Sequence, residues 1–334
     1  MNTIRINNLK NEFDIELITD QVPSKISVVG VGGGGSKMID HMIRKKEINN
    51  VDFMVVDTDI YALDRSLALS KMLLGDAITR SIGSGLGSFR GRKSAIKSFD
   101  EIKRMLEGSD IVFILSGFGN CTGTGATPII AQAAKAIGAL TVSIVTNPFK
   151  LEGRERMKLA KNEIEELKKM SDSIFVIPND RFSSITETNF ISEENFRIVN
   201  DILLEVVSTI SKVIIKEEEI FISLHYTSIK DIISCKGFAH IGTGYSVGKN
   251  AAYHATKETL ESPLLANVSM DDVMGIYVHF VIHPDYPMME IGEGMCILEE
   301  SVNEDAPVTC STTTDNDMNI DEVKIIIIAT GLNN

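Results

Sequence analysis

Two glycine-rich segments constrain this chain more than any other feature, because each directly follows a short β-branched apolar run and precedes a helix-like stretch. The first reads GVGGGGSK at 30–37, after Ile26–Val29. The second reads SGFGNCTGTGA at 116–126, after Ile111–Leu115. A strand that turns through glycine into a helix aims backbone N–H groups and the positive end of the helix dipole beyond the turn, and such turns hold anions. Two of them in one α/β domain point to a phosphate chain gripped from two sides. In Thr122-Gly123-Thr124-Gly125 the alternation lets amides and hydroxyls approach phosphate oxygens together. A third cluster, Gly83-Ser84-Gly85-Leu86-Gly87, reads equally well as a surface loop or as a lid over the phosphates. Walker A is excluded, since that motif needs lysine where Ser36 stands.

Around these segments, apolar runs alternate with helical periodicity. Strands are predicted at 25–31, 51–57, 110–116, 139–146 and 173–178, each continuous enough to be covered on both faces. Helices are predicted at 35–48, 88–107, 124–137 and 154–170. This βαβα order predicts an α/β nucleotide-binding domain built on a doubly wound parallel sheet over 25–192. Residues 1–24 read as an extension or short helix. A long amphipathic helix is expected at 193–216, with Phe196, Val199, Leu203, Val206, Ile210, Val213 and Ile214 on its apolar stripe. Beyond it, 217–334 reads as a smaller α+β domain with strands at 237–245, 274–283, 307–313 and 322–330 and helices at 248–261 and 289–302. The turn DNDMN at 315–319 predicts a hairpin joining the last two strands.

A chain of 334 residues with 43% hydrophobic content supports two moderate cores in close contact. The net charge of −13 opposes a nucleic-acid partner, whose phosphates need a basic footprint. Cys121, Cys235, Cys296 and Cys310 lack CxxC spacing and read as reduced thiols. No basic-then-apolar leader and no membrane-length apolar run is seen, so a cytoplasmic protein without direct membrane insertion is expected.

Three functional readings fit these residues. Gly30, Gly32 and Gly35 satisfy GxGxxG, and Asp57 ends the second strand where a ribose-binding acid belongs, as in a NAD-dependent oxidoreductase. A dinucleotide fold has no need of the second glycine segment, however, which favours a nucleoside triphosphate. The third reading is a scaffold whose pocket is vestigial.

The chain resembles the tubulin/FtsZ family of GTPases. Gly119-Asn120-Cys121-Thr122-Gly123-Thr124-Gly125 is similar to that family's GGGTGTG signature. The likeness continues through TNPFKLEGRER at 146–156, VIPNDR at 176–181, GFAHIGTG at 237–244, SPLL at 262–265 and IIATGL at 327–332. It implies GTP or GDP as ligand, with Mg²⁺ held through the phosphates, and assembly of subunits head to tail into cytoskeletal filaments, as in cell division. It also implies that Gly32, Gly33, Gly34, Gly35, Ser36 and Lys37 face the phosphates from one side. Gly119, Thr122, Gly123, Thr124 and Gly125 would face them from the other, with Asp59, Gly83, Ser84 and Gly85 nearby. Glu152 and Arg156 would reach ribose and phosphates, Asn179 and Asn200 the base edge, and Phe196 would stack on the base.

The departures from the family pattern carry equal weight. In the family, hydrolysis requires the next subunit to dock a loop reading Asn-x-Asp-x-x-Asp. Aligned on GFAHIGTG, the corresponding residues are Ser223, His225 and Ser228, so both acids are missing. Positioning and electrostatics carry most of phosphoryl-transfer catalysis, so self-activated hydrolysis is expected to fall on the order of 100-fold. His225 is a candidate substitute base. Asn120 and Cys121 replace glycines, Lys37 replaces asparagine, and Asp57 replaces asparagine in the family's NTD. The chain stops just after IIATGL, so the usual C-terminal tether peptide is expected to be absent. A filament of this chain alone, or one shared with a catalytic paralogue, follows from the resemblance.

Overall fold

The computed structural model describes residues 3–6, 15–18, 25–75, 88–182, 193–215, 226–262, 264–265 and 268–332. Two short strands, β1 (Thr3–Ile6) and β2 (Ile15–Ile18), pair antiparallel ahead of the main body, where the sequence reads as an extension or short helix. The first half then runs β3 (Ile26–Val31), α1 (Gly32–Lys45), β4 (Val51–Asp57), α2 (Ile60–Arg65), β5 (Ser70–Leu73), α3 (Ser88–Lys97), α4 (Phe99–Leu106), β6 (Ile111–Gly117) and α5 (Cys121–Ala136). It continues through β7 (Leu140–Asn147), α6 (Arg154–Met170), β8 (Ser173–Pro178), α7 (Asn179–Phe182) and the long α8 (Glu193–Ile215). The second half contains α9 (Tyr226–Ile233), β9 (Phe238–Val247), α10 (Ala251–Leu260), β10 (Gly275–Ile282), α11 (Met288–Glu300), β11 (Val308–Thr314) and β12 (Glu322–Leu332).

Ten strands form one sheet in the order β11-β10-β12-β9-β8-β7-β6-β3-β4-β5. From β5 to β9 every pairing is parallel, as the continuous apolar runs require, and β3 is buried along its whole length. The two halves meet where β8 pairs with β9 over only Ile174–Phe238 and Phe175–Ala239. One face of the first half packs on α8 through Val199, Leu203, Val206, Ile210 and Ile214; the other packs on α5 and α6. Phe196 leaves the predicted apolar stripe and is 48% exposed.

Two predicted elements are corrected. The helix expected over 88–107 breaks at Ser98, whose hydroxyl accepts from the Gly75 N–H at 3.1 Å while its carbonyl accepts from Ile102 N at 2.9 Å. The hairpin expected between the last two strands does not form, because β10 lies between β11 and β12. The turn itself exists, with Asp315 Oδ1 accepting from Asp317 N. It carries the chain past β10, because β12 is apolar on both faces, with Val323 and Ile325–Ala329 buried, and takes the interior position.

Glycine sets how closely the helices approach. A Cβ on Gly30 would lie 2.6 Å from the Gly35 carbonyl oxygen, and one on Gly35 would strike the Leu115 carbonyl. Between α3 and α5, a Cβ on Gly91 would collide with the Cys121 backbone, and one on Gly125 with the Ser88 carbonyl. Gly125→Ala is therefore expected to cost about 2–3 kcal/mol in urea unfolding through overpacking. Gly292→Ala in α11, where an added Cβ meets nothing within 4 Å, is the control and should gain about 0.5–1 kcal/mol from helix propensity.

Candidate functional site

At the carboxyl ends of β3 and β6 the two glycine segments are not loops. They form the first turns of α1 and α5, which begin at Gly32 and Cys121, each three residues earlier than predicted. Neither Val31 nor Asn120, the residues ahead of these turns, caps its helix with a side chain. Two uncapped helix ends therefore lie side by side at the place where ligands bind in open α/β sheets. The approach is close: a Cβ on Gly32 would sit 2.8 Å from Gly123 N, and one on Gly34 would sit 3.1 Å from Gly117 N. Gly32 takes φ +69 and Gly119 takes φ +99, so both turns need glycine. Gly33 and Gly34 are exposed, an added Cβ at Gly33 meets nothing within 4 Å, and Lys37 is exposed one turn further on.

Several predicted site residues hold the backbone rather than face solvent. The Ser36 hydroxyl is buried and donates to the Gly32 carbonyl at 3.0 Å. Gly35 and Gly125 are packing glycines. Thr124 is buried and its hydroxyl accepts from Gly119 N at 2.9 Å, which closes the second turn. Thr122 shares a 2.7 Å hydroxyl–hydroxyl bond with Thr58, tying α5 to the end of β4. Asp59 caps α2 by accepting from Tyr61 N. Asp57, read as a ribose ligand in the dinucleotide alternative, is only 4% exposed. Its carboxylate accepts from Thr58 N at 2.6 Å and from Asp59 N at 3.3 Å. Burial pushes its pKa up, and the bonds from Thr58, Asp59 and Thr122 offset part of that shift.

The opposite wall comes from the turn after β7 and from α6. Glu152 and Arg156 pair at 2.7 Å, and Glu152 also accepts from Phe149 N. A Cβ on Gly119 would meet Pro148 and Arg156 Cβ, so this wall stands directly against the second helix turn. Phe196 of α8 meets Phe149 edge to face, with ring centroids 5.5 Å apart. Asn200 lies one turn along α8, half-buried. Asn179 begins α7, and its buried Oδ1 has no hydrogen-bond partner. An orphaned acceptor costs about 1–3 kcal/mol, and a ligand N–H satisfies it. Uncapped N–H groups at two helix ends, an exposed aromatic face and an orphaned amide oxygen together fit a nucleotide.

Ser228 lies in α9, which packs on β10 and receives a bond from Thr330 Oγ1 to the Ile232 carbonyl, on the C-terminal half of the sheet. Gly83, Ser84, Gly85, Ser223 and His225 fall outside the described residues. Among the described residues no group of three or more His, Cys, Asp or Glu side chains is placed to hold a metal ion. The sequence reading missed Phe149 and Thr58. Both sit within quoted motifs, but their roles depend on contacts across the fold.

Comparison with known proteins identifies the family. Residues 25–187 match the Tubulin/FtsZ family GTPase domain, and residues 237–333 match the FtsZ family C-terminal domain. The cell division protein FtsZ of Helicobacter pylori is 39% identical over 322 residues, 96% of this chain and 83% of that protein. A point mutant of FtsZ from M. jannaschii superimposes with a TM-score of 0.85 at 32% identity, covering 94% of this chain and 92% of the other. An FtsZ dimer from the same organism, solved empty, gives 0.83 at 33% identity, covering 93% and 89%.

The Asp57 environment sets a pH dependence. With the folded pKa raised above 3.8, the stability contributed by the neutral acid is complete below pH 3.8 and is lost as pH rises through the folded value. Asp57→Asn, which keeps an acceptor at Oδ1, should unfold at higher urea than the parent at pH 7. The gap should narrow steadily on titrating toward pH 4; a gap that does not change with pH contradicts the assignment.

Proposed function

Since the chain belongs to the tubulin/FtsZ family, its FtsZ branch by the C-terminal match, we propose that it is a guanine-nucleotide-binding filament subunit with a cytoskeletal role in cell division and weak self-activated hydrolysis. The observation that carries the nucleotide reading is the meeting of two uncapped helix N-termini at the exposed Gly33 and Gly34. Backbone N–H groups of the α1 and α5 turns hold the phosphates, and Lys37 adds a cation at the rim. The Glu152–Arg156 pair positions ribose and phosphate. Phe196 stacks on the base, while the Asn179 and Asn200 amides read its edge. Mg²⁺, when bound, screens phosphate charge and is held through the phosphates.

Hydrolysis needs a group that orients water against the terminal phosphate. In this reading that group comes from the next subunit, since α9 belongs to the C-terminal half. Ser223 and Ser228 supply no carboxylate there, and His225 is the one titratable residue of the three. A neighbour with intact acids activates this chain's nucleotide, whereas this chain's own loop activates its neighbour's poorly. Partnership with a catalytic paralogue therefore raises turnover, and a filament of this chain alone is long-lived.

Phe196→Ala should weaken GDP binding by roughly 10- to 30-fold in calorimetry, the scale of one lost base stack. GTP should raise the melting temperature of the parent protein. Phosphate release by the parent alone should be slow and should rise on the order of 100-fold in the double variant His225→Asp, Ser228→Asp. A parent rate equal to the double variant's contradicts the impaired-loop assignment.

A further inference from the structure

The face of the C-terminal sheet that looks toward α8 changes character along its length. At one end Tyr277 and Ile328 are buried in the core that α8 shares. At the other, a cleft of about 820 Å³ separates the helix from the sheet, with His279 in its floor. His279 is 2% exposed. Its Nδ1 lies 2.7 Å from the Ser311 hydroxyl, which is itself 2.7 Å from the Tyr277 hydroxyl. Its Nε2 lies 3.1 Å from the Thr313 hydroxyl. Hydroxyls both donate and accept, so this ladder satisfies either neutral tautomer and also the doubly protonated ring. Hydrogen bonding therefore does not decide the charge of His279.

The surroundings decide it. From α8 the ring faces Lys212, and from β12 it faces Lys324, which bridges to Glu205 of α8. On the sheet itself the neighbouring titratable groups are the Tyr277 phenol and, on β11, Cys310, both held protonated by burial. Lys45 and Glu47 at the end of α1, Asp201 of α8, and Asp315 and Asp317 in the turn after β11 line the cleft more distantly. Among the described residues no carboxylate bonds to the imidazole.

We infer that this cleft is an acid-responsive joint: the closed arrangement requires neutral His279, and a proton on the ring drives α8 and the C-terminal sheet apart until water reaches the imidazolium. Burial, then repulsion from Lys212 and Lys324, hold the imidazole down at about 3 in the closed form, against 6.5 for a solvated ring. The wide form thus binds more protons, and falling pH favours it. Between pH 7.5 and pH 5.0 its population relative to the closed form should rise about 30-fold. No nucleotide takes part, so the joint stands or falls separately from the GTP reading.

The chain contains no tryptophan, so Val281→Trp in the cleft wall supplies a single indole reporter. Acrylamide quenching of that reporter should rise about twofold or more from pH 7.5 to 5.0, with the far-ultraviolet dichroism unchanged. Adding His279→Gln should flatten the response. Adding Lys212→Glu should shrink the response, because a carboxylate in place of a repelling cation lets the closed form accept the proton. Should the His279 variant fail to fold, the Lys212→Glu response decides. Quenching that stays flat in the parent reporter, a response indifferent to His279, an undiminished response in Lys212→Glu, or loss of helical signal over the same range would each overturn the joint.

Discussion

The contact between the first turns of α1 and α5 organises the nucleotide-binding half. Gly32 and Gly123 approach so closely that a side chain on Gly32 would collide with the Gly123 amide. The same glycines that allow this approach leave the backbone N–H groups of two helices facing one place. Dipoles brought together in this way repel, and a bound anion relieves that repulsion. The close packing of Gly30 on Gly35, and of Gly91 on Cys121, fixes the helices on β3 and on each other, so the two turns do not drift apart. Thr58 and Thr122 then join β4 to α5 with a hydroxyl pair beneath the turns. One geometric requirement, two helices starting in contact, accounts for Gly30, Gly32, Gly34 and Gly35.

Much of this was readable from the residues. Parallel strands buried on both faces announce themselves as continuous apolar runs, and β3, β6, β7 and β8 fall within a residue of their predicted bounds. Helix starts were less legible. Glycine has poor helix propensity, so Gly32–Gly35 and Cys121–Gly125 read as loops, and only tertiary packing makes them helical. The DNDMN turn was visible in sequence, but not that β10 would separate the strands it connects. Turn chemistry is local, whereas strand order depends on which strand is apolar on both faces, and β12 is. At the site, motif residues such as Ser36 and Gly125 proved to hold the backbone, while Phe149 emerged only from its contact with Phe196.

The second half relates to the first through two connections of different kinds. The β8–β9 ladder is two residue pairs long, the shortest in the ten-stranded sheet. Helix α8, about 35 Å long, carries Phe196 and Asn200 near its beginning and Glu205 and Lys212 along the cleft. One helix thus carries the proposed base-contacting residues at one end and lines a charged cleft further along. The polar ladder under that cleft lies beside the one apolar core that α8 shares with both halves.

The most direct measurement is a crystal structure of the protein grown with GDP. Pyrophosphate density is expected within hydrogen-bonding reach of the Gly33, Gly34 and Gly123 amides. Guanine is expected against the Phe196 ring, with a donor from the base on Asn179 Oδ1. A vacant cleft at saturating GDP, or the nucleotide seated elsewhere on the molecule, would contradict the guanine-nucleotide assignment.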